Sequence, residues 1–243
     1  IVDSYEQLHG GMHEVVAAAA TRSYVRLQTE ARSLLVEGGR VRGLLLEAPT
    51  GERATERFDG VVLATPAHAA ARLIDGLAPR LAALLDEVRY FPVTVLLVEY
   101  ERPVFDPNVR AIVFGADRPL SNAGAYGVNE LNVVRYTFSG RPARSLTEDE
   151  PDPELLTRIA EDTLAPFAAL AGNRRVAVVA RRMSPGLCAY HSDQAALLRA
   201  LTTPTAAVPG LTLSGDYLRG CSIEACFAAA EEAVAAIDSG ELR

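Results

Sequence analysis

Tryptophan and lysine are both missing from the 243-residue sequence, and each absence closes off a kind of chemistry. Without tryptophan no aromatic cage can be built from indole rings. All 24 basic residues are arginine, so there is neither a Schiff-base lysine nor the lysine of a phosphate-binding loop. Cysteine is scarce: Cys188, Cys221 and Cys226 are too few and too unevenly spaced for a disulfide framework or a zinc site, which fits a reduced, cytoplasmic setting. The four histidines, His9, His13, His68 and His191, never fall into the H-E-x-x-H spacing of a helix-borne metal site. No G-x-S-x-G elbow occurs, and Ser184-Pro185-Gly186 lacks the strand-to-helix context that would strain a nucleophile. Positive charge is in deficit, with 31 acidic residues giving a net charge of −7, which disfavours nucleic acid or an anionic bilayer as the main partner. No apolar run approaches the ~20 residues of a membrane-spanning helix, although peripheral membrane contact stays open. A G-x-G-x-x-G turn is missing too: Gly10-Gly11 and the glycines from Gly38 to Gly43 both have the wrong spacing.

What is present concentrates near the carboxy end, where residues 210–237 read GLTLSGDYLRGCSIEACFAAAEEAVAAI. Thr212 and Leu213 supply a brief apolar strand, Gly215 leaves the backbone unobstructed, and Asp216 puts a carboxylate just past the strand end. A polar loop then leads to Ser222, a helix cap. The residues Ile223, Phe227, Ala230, Val234 and Ile237 recur at the spacing of one buried helical face, with Glu224, Glu231 and Glu232 elsewhere. A strand that feeds a helix N-terminus through such a turn presents backbone N–H groups to a phosphate or a flavin edge.

This block resembles the C-terminal FAD-contacting segment of the flavin-containing amine oxidase superfamily, which includes protoporphyrinogen oxidases, phytoene desaturases and hydroxysqualene dehydroxylase. Two other stretches are similar to the same family, in the same order: LHGGMHEVVAAAA at residues 8–20 and FDGVVLATPAHAAARLI at residues 58–74. The resemblance implies FAD as cofactor and an apolar small molecule, an isoprenoid or a porphyrinogen, as substrate. It also implies that Gly215 and Asp216 approach the ribityl and pyrophosphate, that Ser222 and Ile223 offer amides toward the flavin, that Ala64 and Thr65 line the cofactor side, and that a backbone amide near Ala31 faces the adenine. Roughly the N-terminal half of a flavoprotein of ordinary length is then expected outside these residues, supplied in cis or in trans, and residues 1–243 alone are expected to bind flavin poorly.

The fold class expected is α/β, mixed α+β: a partial FAD-binding, Rossmann-like lobe interrupted by a substrate lobe of antiparallel sheet and helices. Residues 1–75 are read as the first part of the FAD-type lobe, 76–208 as the substrate lobe, and 209–243 as the closing strand, turn and helix. Within the first part, YVRLQT, ARSLLVE and RVRGLLLE read as a meander of two or three strands turning at Gly38-Gly39, and VVLAT as a strand buried on both faces, followed by a helix started by Pro66 with a solvated His68 in its first turn. In the second, PVTVLLVEY, IVFG and LNVVRYTF read as antiparallel strands, residues 115–130 as a loop, Asp152 or Pro153 as a helix start, and RVAVVARRM as a further strand. Met183 stands where relatives often carry tryptophan, leaving Tyr190 as the local aromatic; neither Tyr190 nor His191 is assigned as an acid or base. Cys226 reads as packing and Cys221 as a loop residue. A different class of function stays in view, because the glycine turn is absent: a flavin-free relative acting as a non-redox isoprenoid isomerase or cyclase, or as a small-molecule-binding module.

Overall fold

A computed structural model describes residue 11 and residues 13–126, 130–146 and 150–238; His9, Gly10 and Met12 of the first family-like stretch lie outside them. In chain order the helices are α1 (His13–Ala20), α2 (Ala67–Ile74), α3 (Pro79–Asp86), α4 (Pro153–Leu164), α5 (Gln194–Ala206), α6 (Asp216–Arg219) and α7 (Ile223–Asp238). The strands are β1 (Glu30–Glu37), β2 (Arg40–Glu47), β3 (Arg53–Arg57), β4 (Val61–Leu63), β5 (Tyr90–Tyr100), β6 (Ala111–Val113), β7 (Asn122–Ala125), β8 (Val133–Phe138), β9 (Arg175–Cys188) and β10 (Leu211–Leu213). The chain divides into two compact units, one comprising Tyr90–Leu187 with the segment up to Tyr24, the other Val25–Arg89 with Cys188 onward. The divisions therefore fall after Arg89 and Leu187, which assigns α2, α3 and α5 to the second unit. No helix among the described residues is long and apolar enough to cross a membrane.

In the second unit the meander is β1-β2-β3, all antiparallel. Its first turn is a two-residue hairpin in which Gly38 and Gly39 both have positive φ, 58° and 75°, the conformation that matches strand twist and that glycine adopts without steric cost. The expected strand at YVRLQT does not form; the third strand is instead RATER, downstream. Val25 and Leu27 alternate with Arg26 and Gln28 but both stay exposed, whereas Arg53–Arg57 find a complete ladder against β2. Beside the meander, β4 and β10 run parallel, with Val61, Val62 and Leu63 opposite Leu211, Thr212 and Leu213. The two sheets are tied where Val41 N–H donates to the Pro209 carbonyl at 2.8 Å, and Val61 N–H donates to the Gly210 carbonyl at 2.9 Å where the parallel pair begins. Helix α2 buries Ala67, Ala70, Ala71 and Ile74, the i, i+3, i+4, i+7 stripe its sequence dictates. His68, in its first turn, is half-buried rather than solvated.

Helix α7 corrects the reading of its own face. Its buried residues are Ala229 and Ala233, at 3% and 5% exposure, while Ile223, Phe227 and Val234 are each about half exposed. The helix is apolar on two stripes, so periodicity could not choose between them. The alanine stripe faces inward because small side chains let the helix axis approach β10 closely.

The first unit is a five-stranded antiparallel sheet in the order β6-β7-β8-β5-β9. Strand β7, with the sequence NAGA, lies inside the stretch expected to be loop; it has no β-branched residue and owes its pairing to neighbours on both sides. Alternation places Leu96, Val98 and Tyr100 of β5 and Val134, Tyr136 and Phe138 of β8 on one buried face, where Leu156, Ala160 and Leu164 of α4 meet them. Each large side chain so buried contributes about 1.5–3 kcal/mol. Helix α4 begins as its sequence requires: the Asp152 carboxylate accepts from the Glu154 and Leu155 amides at 2.9 and 3.2 Å, and Pro153 fills the first position.

Under α4 the core carries a polar chain. The Tyr100 and Tyr136 hydroxyls are 2.7 Å apart, Tyr100 donates to Glu161 at 2.9 Å, and Arg175 grips Glu161 with two bonds of 2.8 and 2.6 Å while also reaching Glu154. Burial pushes both phenols well above tyrosine's ordinary range, so they remain protonated donors. Glu161→Ala removes the acceptor of the Tyr100 hydroxyl and half of the partners of the Arg175 fork, and is expected to lower unfolding stability by about 2 kcal/mol; denaturant titration of that variant beside Glu161→Gln, which keeps an acceptor and loses less, checks it.

Candidate functional site

The carboxyl ends of β4 and β10 lie side by side because the pair is parallel and in register. Ser214 N–H donates to the Leu63 carbonyl at 2.9 Å, continuing the ladder one step before both chains turn away. Beyond that bond sit Ala64 and Thr65 on one side and Gly215 and Asp216 on the other. Gly215 has φ +157°, and a Cβ there would come within 2.7 Å of the Tyr217 ring and 3.4 Å of the Thr65 carbonyl. The glycine is thus required by the ring of Tyr217 folded back upon it, and it shows how close Thr65 and Gly215 stand.

After the bend the chain does not remain a loop. Asp216–Arg219 form the short helix α6, Gly220 turns with φ 131°, and Ser222 opens α7 by accepting the Ala225 amide on its hydroxyl at 3.1 Å. Arg219 and Glu232 pair across α6 and α7, and that guanidinium holds the Glu232 carboxyl below the usual range. Ser222 is therefore the cap and Ile223 the first helical residue, so the Ile223 N–H is one of the donors an α-helix leaves without an internal partner.

Two residues that the sequence did not single out for this role fix the bend from the opposite flank. The Tyr190 hydroxyl donates to the Asp216 carbonyl at 2.7 Å, and the Gln194 amide, at the start of α5, donates to the Tyr217 carbonyl at 2.7 Å. The partial burial of Tyr190, with Cys188, Cys221 and Asp216 nearby, pushes its phenol above the ordinary value, keeping the donor in place. The sequence marks Tyr190 as the local aromatic, and nothing local signals that it reaches a carbonyl 26 positions away.

Of the seven expected site residues, the fold brings Ala64, Thr65, Gly215 and Asp216 together at the strand ends and sets Ser222 and Ile223 at the head of α7. Ala31 lies in the meander, opposite Leu46, and the bend is held without it. The bend leaves buried hydroxyls unspent: Thr65 Oγ1, Thr212 Oγ1 and the Tyr217 hydroxyl have no hydrogen-bond partner among the described residues. Among the described residues no group of acidic, histidine or cysteine side chains could hold a metal ion. A neutral hydroxyl and amide donors at the carboxyl ends of parallel strands suit a nucleotide or polyol ligand, which binds at that edge of open α/β sheets.

A family model described as flavin containing amine oxidoreductase matches residues 2–238. The chain belongs to that family. Coproporphyrinogen III oxidase of Mycobacterium tuberculosis (strain ATCC 25618 / H37Rv) is 29% identical over 245 residues, covering 95% of this chain and 50% of that protein. The enzyme of the same name from Mycobacterium leprae (strain TN) is 28% identical over 244 residues, covering 96% and 51%. Among solved structures, a putative protoporphyrinogen oxidase from Exiguobacterium sp. 255-15 superposes with TM-score 0.71 at 21% identity, over 97% of this chain and 52% of that one. Reduced UDP-galactopyranose mutase follows at TM-score 0.67 and 14% identity, over 95% and 50%. The chain spans about half the length of the relatives and solved structures it matches, and the α/β fold with its partial Rossmann-like lobe is the one those structures share.

The bend's geometry yields a stability test. Gly215→Ala is expected to cost about 1–3 kcal/mol, since the methyl meets the Tyr217 ring in a backbone conformation that L-residues avoid. Gly76→Ala, where the added methyl meets open space, is expected to stay within about 0.5 kcal/mol of the parent. Thermal unfolding of the two variants decides; similar melting for both removes the special status of the bend.

Proposed function

We propose that these residues form part of an FAD-dependent oxidoreductase that oxidises an apolar small molecule of the porphyrinogen kind. The observation that carries the reading is the pairing of two facts: similarity to coproporphyrinogen III oxidases along 95% of the chain, and a strand-end bend whose spare hydroxyl and amide donors suit a flavin dinucleotide. When bound, FAD supplies the acceptor for the electrons and hydrogen removed from the substrate. The chain's own contribution is placement. Gly215 and Asp216 lie where the ribityl and pyrophosphate pass, Thr65 offers its unspent hydroxyl, and Ser222 and Ile223 aim amides from the α7 N-terminus, where the helix macrodipole favours negative charge. Tyr190 and Gln194 act at one remove by fixing the carbonyls of residues 216 and 217. The half-exposed stripe of Ile223, Phe227 and Val234 is covered, on this reading, by further polypeptide of the cofactor lobe, which also brings the glycine-rich turn these residues lack.

The isoprenoid substrates draw no support from the named relatives, and the flavin-free alternative rests on the missing turn alone. Ile223→Pro separates the readings, because proline at the first helical position preserves the helix yet deletes one amide donor. In the complete protein, purified and stripped with chaotrope, flavin affinity is expected to fall about tenfold in this variant with the circular dichroism unchanged. A complete protein that carries no flavin and takes none up contradicts the proposal and favours the non-redox reading.

A further inference from the structure

The five-stranded sheet has a second face, opposite the one that α4 covers. Because Leu96 and Val98 of β5 and Val134, Tyr136 and Phe138 of β8 point toward α4, alternation turns Val95, Leu97 and Glu99 of β5 and Val133, Arg135 and Thr137 of β8 the other way. Register sets Val95 opposite Thr137, Leu97 opposite Arg135 and Glu99 opposite Val133. On the far side of β8, Arg135 stands opposite Gly124, so no side chain of β7 shields that flank of the guanidinium. Strand β9 obeys the same alternation: Val178 and Ala180 pack against the core, which turns Val179, Arg181 and Met183 outward, with Val179 and Met183 close to half exposed.

The face that results is a strip of Val95, Leu97, Val179 and Met183 flanked by two guanidinium groups. Among the described residues Arg135 takes part in no ion pair, and Arg181 spends one N–H on the Ala180 carbonyl at 3.1 Å and likewise pairs with no carboxylate. Glu99, the acidic group of β5 on this face, sits beyond Leu97 at the end facing Val133. The strands that carry them, β8 and β9, flank β5 and so lie two strand spacings, about 10 Å, apart across the sheet. A flat apolar ring laid on the strip would reach both guanidiniums with substituents on opposite edges.

We propose that this face binds a flat, apolar polycarboxylate, and specifically that Arg135 and Arg181 receive two propionates of a tetrapyrrole whose ring lies on Val95, Leu97 and Val179. The assignment rests on the porphyrinogen reading above and deepens it by naming the residues that choose acid-bearing substrates. Guanidinium is the cation suited to it, since its planar fork accepts a carboxylate with two parallel bonds. Charge complementarity selects this occupant over a neutral isoprenoid, which would bury the apolar strip and leave both cations unmatched.

The test uses the complete, flavin-loaded protein with two probes, coproporphyrin III as the stable tetra-acid and its tetramethyl ester as the same ring without charge, titrated by fluorescence. The parent protein is expected to prefer the acid, and Arg135→Ala with Arg181→Ala to weaken the acid about tenfold while leaving the ester unchanged, as two solvent-screened pairs would. Lysine at both positions should restore part of the preference, and the single variants Arg135→Gln and Arg181→Gln carry the test should the double alanine variant not fold. Unchanged acid affinity in the double variant overturns the proposal while leaving the porphyrinogen reading standing, and equal losses for acid and ester overturn it by assigning the arginines a structural part. A parent protein that binds neither probe overturns both.

Discussion

The parallel register of β4 with β10 is the constraint on which the candidate site depends. Parallel strands place their carboxyl ends at the same edge, so Thr65 and Gly215, 150 positions apart in sequence, become neighbours without any contact designed between their side chains. Everything else at the bend secures that juxtaposition. Ser214 extends the ladder, the Tyr217 ring closes over Gly215, and Tyr190 and Gln194 hold the two following carbonyls. The bend is thereby fixed in advance, and a ligand meeting it would not have to supply the ordering free energy.

The two units divide the labour of such a protein along lines set by sheet chemistry. A short parallel pair offers strand ends and helix N-termini, which are sources of backbone donors. An antiparallel sheet covered on one face by α4 offers an alternating surface whose other face carries apolar and charged side chains side by side. The buried Tyr100–Tyr136–Glu161–Arg175 chain belongs to the covered face. It fixes α4 against the sheet with directional bonds that apolar packing alone would not provide.

Local signals in the sequence sufficed wherever structure is locally determined. The Asp152 cap, the Gly38-Gly39 hairpin and the start of α2 at Pro66 all follow from chemistry within a few residues, and so does the Ser222 cap at the head of α7. What was illegible is what tertiary context decides. Strand β7 is built from Asn, Ala and Gly, and only its two neighbours make it a strand. The inward face of α7 was misread because two apolar stripes compete, and the smaller one wins by allowing closer approach to β10. The clasp of Tyr190 and Gln194 on residues 216 and 217 joins a strand end and a helix start to a turn far along the chain, a relation that no spacing rule encodes. Of the site itself, the glycine bend and its cap were readable, and the family resemblance joined them to Ala64 and Thr65.

Amide hydrogen exchange of the complete protein, compared with and without FAD, measures the central claim directly. The account predicts that the amides of residues 215–223 and those at Ala64 and Thr65 slow markedly when FAD is added, while the amides of β6 and β7 exchange as before. Exchange at the bend that is indifferent to FAD, with protection appearing elsewhere, would contradict it.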